Sequence, residues 1–276
     1  MATASPPSPR TRSKPKKESS FLGSLARFAI LAWILRCLVV EPFYIPSGSM
    51  QPNMAIGDYL FVEKWPYGYS RMSFLWQFPP ISGRIFPHLP ARGDVVVFKP
   101  PGRENETWVK RVIGLPGDTI AVDNGTVILN GLPISKTPIG DTAIPVTPNS
   151  PCRSIGHAPR LGRTATGAET CLYPAFRETL PGGRSLTTLD QADVPADHFD
   201  AVTVPAGTVF MMGDNRDDSE DSRFSPDIGG AGFVPLDHLV GRAVFAFWST
   251  DGSASYVQPW TWFTALRAHR LGTAYK

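Results

Sequence analysis

The sequence predicts a mainly β protein that begins with one membrane helix, and three observations support this prediction. The 276-residue chain contains 28 prolines and 25 glycines, which favour short strands and turns over a helical bundle. Residues 21–40 form an apolar run that is long enough to cross a bilayer. Beyond that run, short stretches of β-branched and aromatic residues alternate with turn signals, and helical periodicity is confined to the C-terminal tail.

The overall composition excludes two broad classes of protein. With 42% hydrophobic and 18% charged residues, the chain has the composition of a folded protein and not of a disordered one. Its formal net charge of +3 is too small to suggest a nucleic-acid partner. The length is sufficient for one large domain or for two smaller domains, each with a real core.

The charges that precede the apolar run predict its orientation in a membrane. Only one acidic residue, Glu18, lies before the run, whereas five basic residues do: Arg10, Arg12, Lys14, Lys16 and Lys17. By the positive-inside rule, residues 1–20 form a basic cytoplasmic tail, residues 21–40 form the anchor, and the rest of the chain lies on the far side.

Two features complicate the interpretation of the run as an anchor. Arg27 and Arg36 lie within it, and each is tolerated only near an end, where the side chain can reach the headgroups. A cleaved secretory signal is the alternative interpretation. The residues that follow the run, Glu41 to Tyr44, lack the small-x-small site that cleavage needs, which favours the uncleaved anchor.

Eight segments beyond the anchor have the composition of strands. They are residues 58–64, 94–98, 107–113, 119–122, 126–129, 201–204, 207–212 and 240–248. Asn124-Gly125 separates two of them and supplies the positive φ angles of a tight hairpin turn. These segments predict a catalytic β domain built from residues 41–130 and 201–258.

Residues 131–200 interrupt this pattern and are predicted to be an inserted, loop-rich subdomain. The stretch is rich in proline, glycine, serine and threonine and carries Cys152 and Cys171. In an oxidising compartment these two cysteines are candidates for a disulfide, with two free thiols as the alternative. Cys37 lies in the apolar run and is most simply a small buried hydrophobic residue.

Three segments contain more polar and special residues than folding requires: Ser47-Gly48-Ser49, Lys110-Arg111, and residues 213–223. A Ser-His-Asp triad is not favoured, because none of the five histidines lies in these segments; they are His88, His157, His198, His238 and His269. No histidine or cysteine spacing suggests a zinc site, so neither a metal nor a cofactor is predicted. A lysine is left as the possible base for a serine nucleophile.

Lys110 interrupts an apolar strand, where alternation places it on the same face as Trp108 and Val112. A lysine packed among apolar side chains is desolvated, which lowers its pKa and can leave the amine neutral. A neutral lysine can accept the proton of a serine hydroxyl, as in the Ser-Lys variant of nucleophilic catalysis. Taken alone, however, the strand favours the alternative interpretation, a surface lysine at a sheet edge.

The segment 213–223 mixes acidic residues with two arginines. A solvated acidic loop and a cation-binding turn are the simplest interpretations, although the glycine and the closing glutamate of a calcium loop are misplaced. Arg216 and Arg223 alternate with the acids, which suggests internal ion pairs that stiffen a turn. Ser219 could supply a hydroxyl group that positions Lys110.

The three segments belong to a set of four sequence blocks that follow one another along the chain. They are Pro-Ser-Gly-Ser-Met-x-Pro at 46–52, Arg-Gly-Asp-Val-Val-Val-Phe at 92–98, Lys-Arg-Val-Ile-Gly-Leu-Pro-Gly-Asp at 110–118, and Gly-Asp-Asn-Arg-Asp-x-Ser-x-Asp-Ser-Arg at 213–223. Together they resemble the bacterial type I signal peptidases (leader peptidases), from the anchor to about residue 249. The resemblance implies an antiparallel β-sheet catalytic domain of the signal-peptidase type, similar to the self-cleaving LexA-like repressor peptidases.

The resemblance also implies catalytic roles for four residues. Ser49 would be the nucleophile, and Lys110 would be the general base that later protonates the leaving amine. Ser47 would stabilise the oxyanion together with the backbone N–H of Ser49, a type of donor typically worth about 3–4 kcal/mol. Ser219 would orient the lysine amine.

Further residues receive supporting roles from the same resemblance. Asp221 and Arg223 would form an ion pair that braces their loop, and Gly213 would leave room beside the lysine. Family substrates carry small residues at the first and third positions before the scissile bond, and an extended substrate could add to the sheet as a strand. The residues implied for the substrate pockets, with core packing as the alternative, are Phe43, Ile45, Met50, Met54, Trp108 and Val109.

These inferences predict a membrane-anchored serine endopeptidase that removes signal peptides after Ala-x-Ala-like sites. Its partners would be the signal peptides of translocated preproteins, membrane lipid and the secretion translocon. Its location would be the bacterial inner membrane, with the catalytic domain on the extracytoplasmic side. Residues 259–276, which interleave aromatic and basic residues, would rest on the membrane interface or pack on the domain as an amphipathic helix.

Two other functions fit parts of the sequence. An autoprocessing or specialised peptidase with a narrow substrate would use the same serine and lysine, but the anchor and the narrow pockets argue against it. An inactive relative that only binds signal peptides or scaffolds a translocation complex would not need Ser49, Lys110 and Ser219 together.

Overall fold

The N-terminal part of the structure is one long apolar helix. The structure, a computed structural model, describes residues 21–255 and 257–275, so the predicted cytoplasmic tail lies outside the described residues. Helix α1 (Phe21–Leu38) consists mainly of leucine, alanine, isoleucine and phenylalanine, and Cys37 is its one buried residue. In the described part of the chain it is the single helix whose length and composition would allow it to cross a membrane.

The helix leads directly into the β domain. Strand β1 (Val40–Tyr44) begins two residues after the helix ends. The Tyr69 hydroxyl donates to Leu38 O at 2.7 Å, and the Lys64 N–H donates to Val39 O at 3.1 Å. The end of the helix is therefore attached to the domain by hydrogen bonds, with no intervening flexible linker.

Sixteen further strands follow β1 among the described residues. The first eight are β2 (Asp58–Glu63), β3 (Tyr69–Ser70), β4 (Arg84–Ile85), β5 (Val95–Phe98), β6 (Trp108–Gly114), β7 (Thr119–Asp123), β8 (Thr126–Leu129) and β9 (Leu132–Pro133). The other eight are β10 (Ser135–Pro145), β11 (Leu161–Arg163), β12 (Glu169–Thr179), β13 (Ser185–Leu189), β14 (Phe199–Thr203), β15 (Thr208–Met212), β16 (Val234–Pro235) and β17 (Leu239–Ser249). The predicted mainly antiparallel β fold is confirmed.

The largest sheet has seven antiparallel strands in the order β1-β2-β17-β5-β6-β15-β16. Its central strand β5 is buried on both faces, because Val95 and Val97 belong to one hydrophobic cluster while Val96 and Phe98 belong to another. This explains why β5 is continuously apolar instead of alternating with polar residues. The strand that carries the predicted lysine, β6, lies between β5 and β15 in the middle of the sheet.

A smaller sheet, β14-β7-β8-β9, contains the hairpin predicted at Asn124-Gly125. These two residues have φ angles of 47° and 68°, as the tight turn between β7 and β8 requires. The apolar faces of this sheet and of β15 share a third cluster, which includes Ile120, Val127 and Phe210.

Residues 131–200 contain more strand than their composition suggests. The 11-residue strands β10 and β12 pair along most of their lengths, and β11 and β13 both pair with the other edge of β12. The register of β10 shifts between Pro138 and Gly140, and β12 contains Pro174. Prolines within strands hide the alternating pattern that identifies a strand in a sequence, and β10 tolerates two because it lies at a sheet edge.

The C-terminal segment returns to the large sheet. Helix α2 (Thr261–Thr264) is only four residues long, so the tail does not form an extended amphipathic helix. After it, Arg270 donates to both carboxylate oxygens of Asp58, and the Tyr275 hydroxyl donates to Asp58 Oδ2 at 3.0 Å. Burial raises the pKa of Asp58, but the hydrogen bonds and the charge of Arg270 outweigh it and hold the pKa below its usual range.

Candidate active site

The predicted serines lie on a tight loop between β1 and β2. Within it, the Gln51 N–H donates to Gly48 O at 3.0 Å. Asn215 holds the loop from outside, since its main-chain N–H donates to Ser49 O at 3.0 Å and its Nδ2 donates to Gly48 O at 3.3 Å. The backbone around Ser49 is thereby fixed to the loop formed by residues 213–223, which we call the 213–223 loop.

Lys110 and Ser49 lie 61 positions apart in the sequence and meet in the structure. The distance between Lys110 Nζ and Ser49 Oγ is 2.6 Å. Both side chains are buried, and the Lys110 amine lies 5.6 Å from the centroid of the Trp108 ring. The sheet therefore brings an amine and a hydroxyl group into direct hydrogen-bond contact in a largely water-excluded position.

The environment of Lys110 favours the neutral amine. Burial lowers its pKa from 10.5 to about 8, although the carboxylates of Asp221, Glu220 and Asp218 act in the opposite direction. Near this pKa a substantial fraction of the amine is unprotonated and can accept the Ser49 proton. Lys110 is thus able to activate Ser49 without a histidine.

Two hydrogen-bond donors lie beside the Ser49 hydroxyl. The Ser47 and Ser49 Oγ atoms are 3.4 Å apart. Within residues 21–255 and 257–275, no acceptor takes the main-chain N–H of Ser49. An uncommitted N–H and a nearby hydroxyl are the donors that an oxyanion hole requires.

Ser219 also lines the cleft around Ser49 and Lys110, and its hydroxyl group is buried. Its Oγ has no hydrogen-bond partner among the described residues, so it does not contact Lys110 here. A Cβ atom added to Gly213 would lie 2.2 Å from Ser219 Oγ and 2.5 Å from Ser49 O. Any residue larger than glycine at position 213 would therefore displace either the serine loop or Ser219.

A buried ion pair fixes the strand of Lys110 to the 213–223 loop. Arg111 Nε and Nη2 donate to the two carboxylate oxygens of Asp214, each at 2.7 Å, and both side chains are at most 3% exposed. Asp214 Oδ2 also accepts from Asn53 Nδ2 at 2.7 Å. One carboxylate thus connects β6, the 213–223 loop and the serine loop.

A second buried pair lies within the 213–223 loop. Arg223 donates to both oxygens of Asp221, at 3.0 and 2.9 Å, and the Gly213 N–H donates to Asp221 Oδ2 at 3.0 Å. Burial raises the pKa of Asp221, but the Arg223 charge and these hydrogen bonds outweigh it and keep the pKa below its usual range. The internal pair predicted for Arg223 is therefore present, whereas the one predicted for Arg216 is not, because Arg216 pairs with Glu178 of β12, outside the loop.

The serine and the lysine open into a cleft of about 840 Å³. Four of the six residues predicted for the substrate pockets line it: Phe43, Ile45, Trp108 and Val109. Met50 and Met54 do not line the cleft, because both are buried in the core cluster below the serine loop. For these two methionines the structure favours the core-packing alternative.

The two distal cysteines are bonded to each other in the structure, with their Cα atoms 5.2 Å apart. The bridge attaches the segment before β11 to strand β12. A small cavity of about 120 Å³ lies between this segment and the serine loop, and it is lined by Ser47, Gly48 and Arg153 among others.

Some site residues were not identified from the sequence. The sequence marks Arg111 only as the neighbour of Lys110, and it indicates no role for Asp214 or Asn215. Their positions in two of the quoted blocks are the one indication in the sequence that these residues matter. The pairs they form join distant positions: Arg111 and Asp214 are 103 positions apart, and Asn215 and Gly48 are 167 apart. Such long-range pairing is not visible in a single sequence.

Comparison with known proteins gives consistent results. The family model described as signal peptidase, peptidase S26, matches residues 19–248. A signal peptidase I of Rickettsia prowazekii (strain Madrid E) is 35% identical over 237 residues, which cover 83% of this chain and 79% of the relative. A signal peptidase I of Rickettsia akari (strain Hartford) is 36% identical over 236 residues, covering 82% and 78%.

Among solved structures, a signal peptidase I from Enterococcus faecalis V583 gives a TM-score of 0.29 with 23% sequence identity. The match covers 56% of this chain and 97% of that chain. At that score the likeness adds nothing to the relationship seen in the sequences.

Proposed function

This chain belongs to the signal peptidase family of peptidase S26 and is a serine peptidase that removes signal peptides, and we propose that it does so with Ser49 and Lys110. The single observation that carries the proposal is the 2.6 Å contact between Lys110 Nζ and Ser49 Oγ in a buried position. A lysine and a serine in hydrogen-bond contact are sufficient for nucleophilic catalysis when the amine can be neutral.

The proposed reaction begins with proton transfer from Ser49 to the neutral amine of Lys110. The Ser49 oxygen attacks the scissile carbonyl carbon, and the resulting oxyanion accepts hydrogen bonds from the Ser49 N–H and the Ser47 hydroxyl group. Protonated Lys110 then gives its proton to the leaving amine, which is the new N-terminus of the mature protein. Water, activated by the same amine, hydrolyses the acyl-enzyme ester and regenerates Ser49.

The edge of the large sheet supports an extended binding mode for the substrate. In the part of the chain that the structure describes, strand β1 pairs with β2 on one side only, so its other edge is available to an added strand. Phe43 and Ile45, from β1 and the residue after it, and Trp108 and Val109, from β6, all line the cleft. We propose that these apolar walls narrow the cleft so that it accepts small residues at the first and third positions before the cut.

The position of the cleft relative to α1 supports action at a membrane. We propose that α1 is a single-pass anchor, that residues 1–20 are cytoplasmic, and that the cleft lies on the extracytoplasmic side. Ser49 is only 11 residues beyond the end of α1, and the hydrogen bonds at Leu38 and Val39 hold the domain against the helix. The scissile bond of a translocated signal peptide, delivered by the secretion translocon, would emerge at this level.

The experiment that tests the function is cleavage of a preprotein whose signal peptide ends in Ala-x-Ala, with the purified full chain in detergent or lipid vesicles. We expect the parent to cut at that site, Ser49→Ala to be inactive, and the exposed-site control Ser253→Ala to match the parent. If a folded parent binds the preprotein without cutting it, or if Ser49→Ala still cuts, the proposed chemistry is wrong.

The pH dependence of cleavage gives a separate prediction. Because the active form of Lys110 is the neutral amine, kcat/KM should rise with pH through an apparent pKa of about 8. The carboxylate of Glu220 raises the pKa of Lys110, so in Glu220→Gln the rise of kcat/KM should occur at lower pH than in the parent. A profile that is flat from pH 6 to 9, or that shifts to higher pH in the variant, would contradict this assignment of the base.

A further inference from the structure

Three aspartates outside the Ser49–Lys110 contact converge on one point. One carboxylate oxygen from each of Asp190, Asp197 and Asp217 lies within 4.8 Å of the other two. Asp190 follows β13, Asp197 precedes β14, and Asp217 belongs to the 213–223 loop. Three segments that are separate in the sequence therefore bring negative charges together.

Two oxygens of this cluster are buried and without a partner. Asp197 Oδ1 and Asp217 Oδ1 accept no hydrogen bond among the described residues, and Asp197 is only 3% exposed. The other oxygen of each is satisfied by main-chain N–H groups: Asp197 Oδ2 by Val194, and Asp217 Oδ2 by Gln191 and Ala192. These bonds orient both carboxylates so that each retains one unsatisfied oxygen.

The unpartnered Asp197 oxygen lies close to Gly125 in the β7–β8 turn, in a small space that we call the cradle and that Gly125, Lys136, Asp190 and Asp197 surround. A Cβ atom added to Gly125 would lie 2.6 Å from Asp190 Oδ2, 3.0 Å from Lys136 Nζ and 3.3 Å from Asp197 Oδ1. The carbonyl oxygen of Gly125 lies at the same place, since it accepts a hydrogen bond from Lys136 Nζ at 2.8 Å. The cradle thus contains carboxylate and carbonyl oxygens.

The neighbouring positive charges do not balance the three carboxylates. Lys136 pairs with Asp190, whereas Arg223 is already paired with Asp221. Burial, followed by the carboxylates of Asp190 and Asp197, raises the pKa of Asp217 to about 6, and burial together with Asp190 raises the pKa of Asp197. Bringing these groups together is therefore unfavourable unless a further positive charge is present.

We propose that Asp190, Asp197 and Asp217 form a binding site for a divalent cation, with Ca²⁺ as the ion that fits best. Two ligand atoms at opposite sides of a Ca²⁺ ion are about 4.6–5.2 Å apart, because Ca–O distances are about 2.3–2.6 Å. The three oxygens lie within 4.8 Å of one another and so meet this upper limit for ligands of one Ca²⁺ ion, and water would supply the remaining ligands. Mg²⁺ demands near-ideal octahedral geometry and gives up its water reluctantly, so carboxylates held by three separate segments suit the more flexible shell of Ca²⁺ better.

Such a site connects the 213–223 loop to the strands of residues 131–200. Asp217 lies two residues before Ser219, whereas Asp190 and Asp197 belong to the segment that leads from β13 to β14. A cation bound by all three therefore stabilises the folded arrangement of these segments, because the unfolded chain does not bring the carboxylates together.

The test is a Ca²⁺ titration of the purified full chain, followed by calorimetry and by the thermal unfolding temperature. We expect a midpoint between about 10⁻⁴ and 10⁻³ M, as for extracellular calcium modules, and an unfolding temperature that rises with Ca²⁺. Mg²⁺ should give a weaker response at equal concentration. Neither readout depends on cleavage, so failure of this proposal and failure of the proposed function are distinguishable.

Matched variants identify the site. Asp197→Asn should lower the affinity for Ca²⁺ at least tenfold, and without Ca²⁺ it should unfold no more easily than the parent, because a repulsion is relieved. The control Asp193→Asn removes an exposed aspartate that pairs with His198 and should bind Ca²⁺ as the parent does. Absence of a Ca²⁺ response in the parent at 10⁻² M, or an equal response in Asp197→Asn, overturns the proposal.

Lys136 provides a second discriminating variant, because its ammonium group is the alternative counter-ion of the cluster. If the site binds Ca²⁺, Lys136→Met removes a competing charge and should tighten Ca²⁺ binding. If Lys136 is itself the required cation, the variant will be less stable than the parent and Ca²⁺ will not restore it, and the proposal is then wrong.

Discussion

Replacing Lys110 with methionine is expected to abolish cleavage and, at the same time, to make the folded chain more stable. The loss of the general base should lower kcat/KM by roughly 10⁴-fold or more. The gain in stability has a separate cause. The pKa of Lys110 is about 8 in the folded chain and 10.5 when unperturbed, so the protonated amine destabilises the fold by roughly 3 kcal/mol at pH 7.

The sign of this effect can be checked against pH. Between pH 8 and 10.5 the unfolded chain retains the lysine proton that the folded chain has lost, so the stability of the parent rises with pH in this window. Methionine has a similar length and no charge, so Lys110→Met removes both the penalty and this part of the slope. Urea unfolding of parent and variant at pH 7 and pH 10 measures both quantities.

Lys110→Arg is the matched control, because arginine keeps the charge in the same buried position and cannot lose its proton in this range. It should lose cleavage as Lys110→Met does, but without any gain in stability. A Lys110→Met variant that is less stable than the parent at pH 7, or that still cuts the preprotein, would contradict the role given to this side chain.

Removing the carboxylate of Asp214 is expected to give the largest loss of stability among the changes considered. Asp214→Ala leaves the Arg111 guanidinium buried without its bidentate partner and leaves Asn53 Nδ2 without one of its two acceptors. Breaking one half of a buried pair typically costs about 3–5 kcal/mol. Cleavage should fall as well, because Asp214 connects the strand of Lys110 to the serine loop.

An exposed pair provides the comparison. Asp141 pairs with Arg160, and their side chains are 33% and 48% exposed. Asp141→Ala should change the free energy of unfolding by less than about 1 kcal/mol. In the double variant Asp214→Ala with Arg111→Met no uncompensated charge remains, so part of the stability should return. Equal effects of Asp214→Ala and Asp141→Ala in urea unfolding would show that burial of the pair is not the cause.

The sequence was most informative where residues are buried in regular strands. The strands predicted at 126–129 and 207–212 correspond closely to β8 (Thr126–Leu129) and β15 (Thr208–Met212), because apolar alternation and turn residues mark them clearly. Lys110 could be singled out for a related reason, since a charge between apolar neighbours requires an explanation. The quoted blocks then placed Ser49, Lys110 and Ser219 in one predicted site.

The sequence was least informative where prolines interrupt strands and where charges are buried in pairs. Strands β10 and β12 contain prolines and polar residues, so they resemble loops. Arg111 resembles a surface residue until its partner Asp214 is known, and Met50 and Met54 could equally have lined a pocket or filled the core. In each case the deciding contact is made with a residue that is distant in the sequence.

The contacts of Asp58 also determine when the domain can be completed during synthesis and export. This buried aspartate is neutralised by Arg270, which lies 212 positions later, and strand β2 gains its inner neighbour only when β17 has been made. Until then, β2 exposes an unpaired edge, and the N–H of Ala55 is the one local hydrogen-bond donor to the carboxylate of Asp58 among the described residues. The large sheet can therefore be completed only late, after residues 239–270 have emerged. A chain that has emerged only in part lacks strand β17 and the C-terminal partners of Asp58, so its large sheet is incomplete.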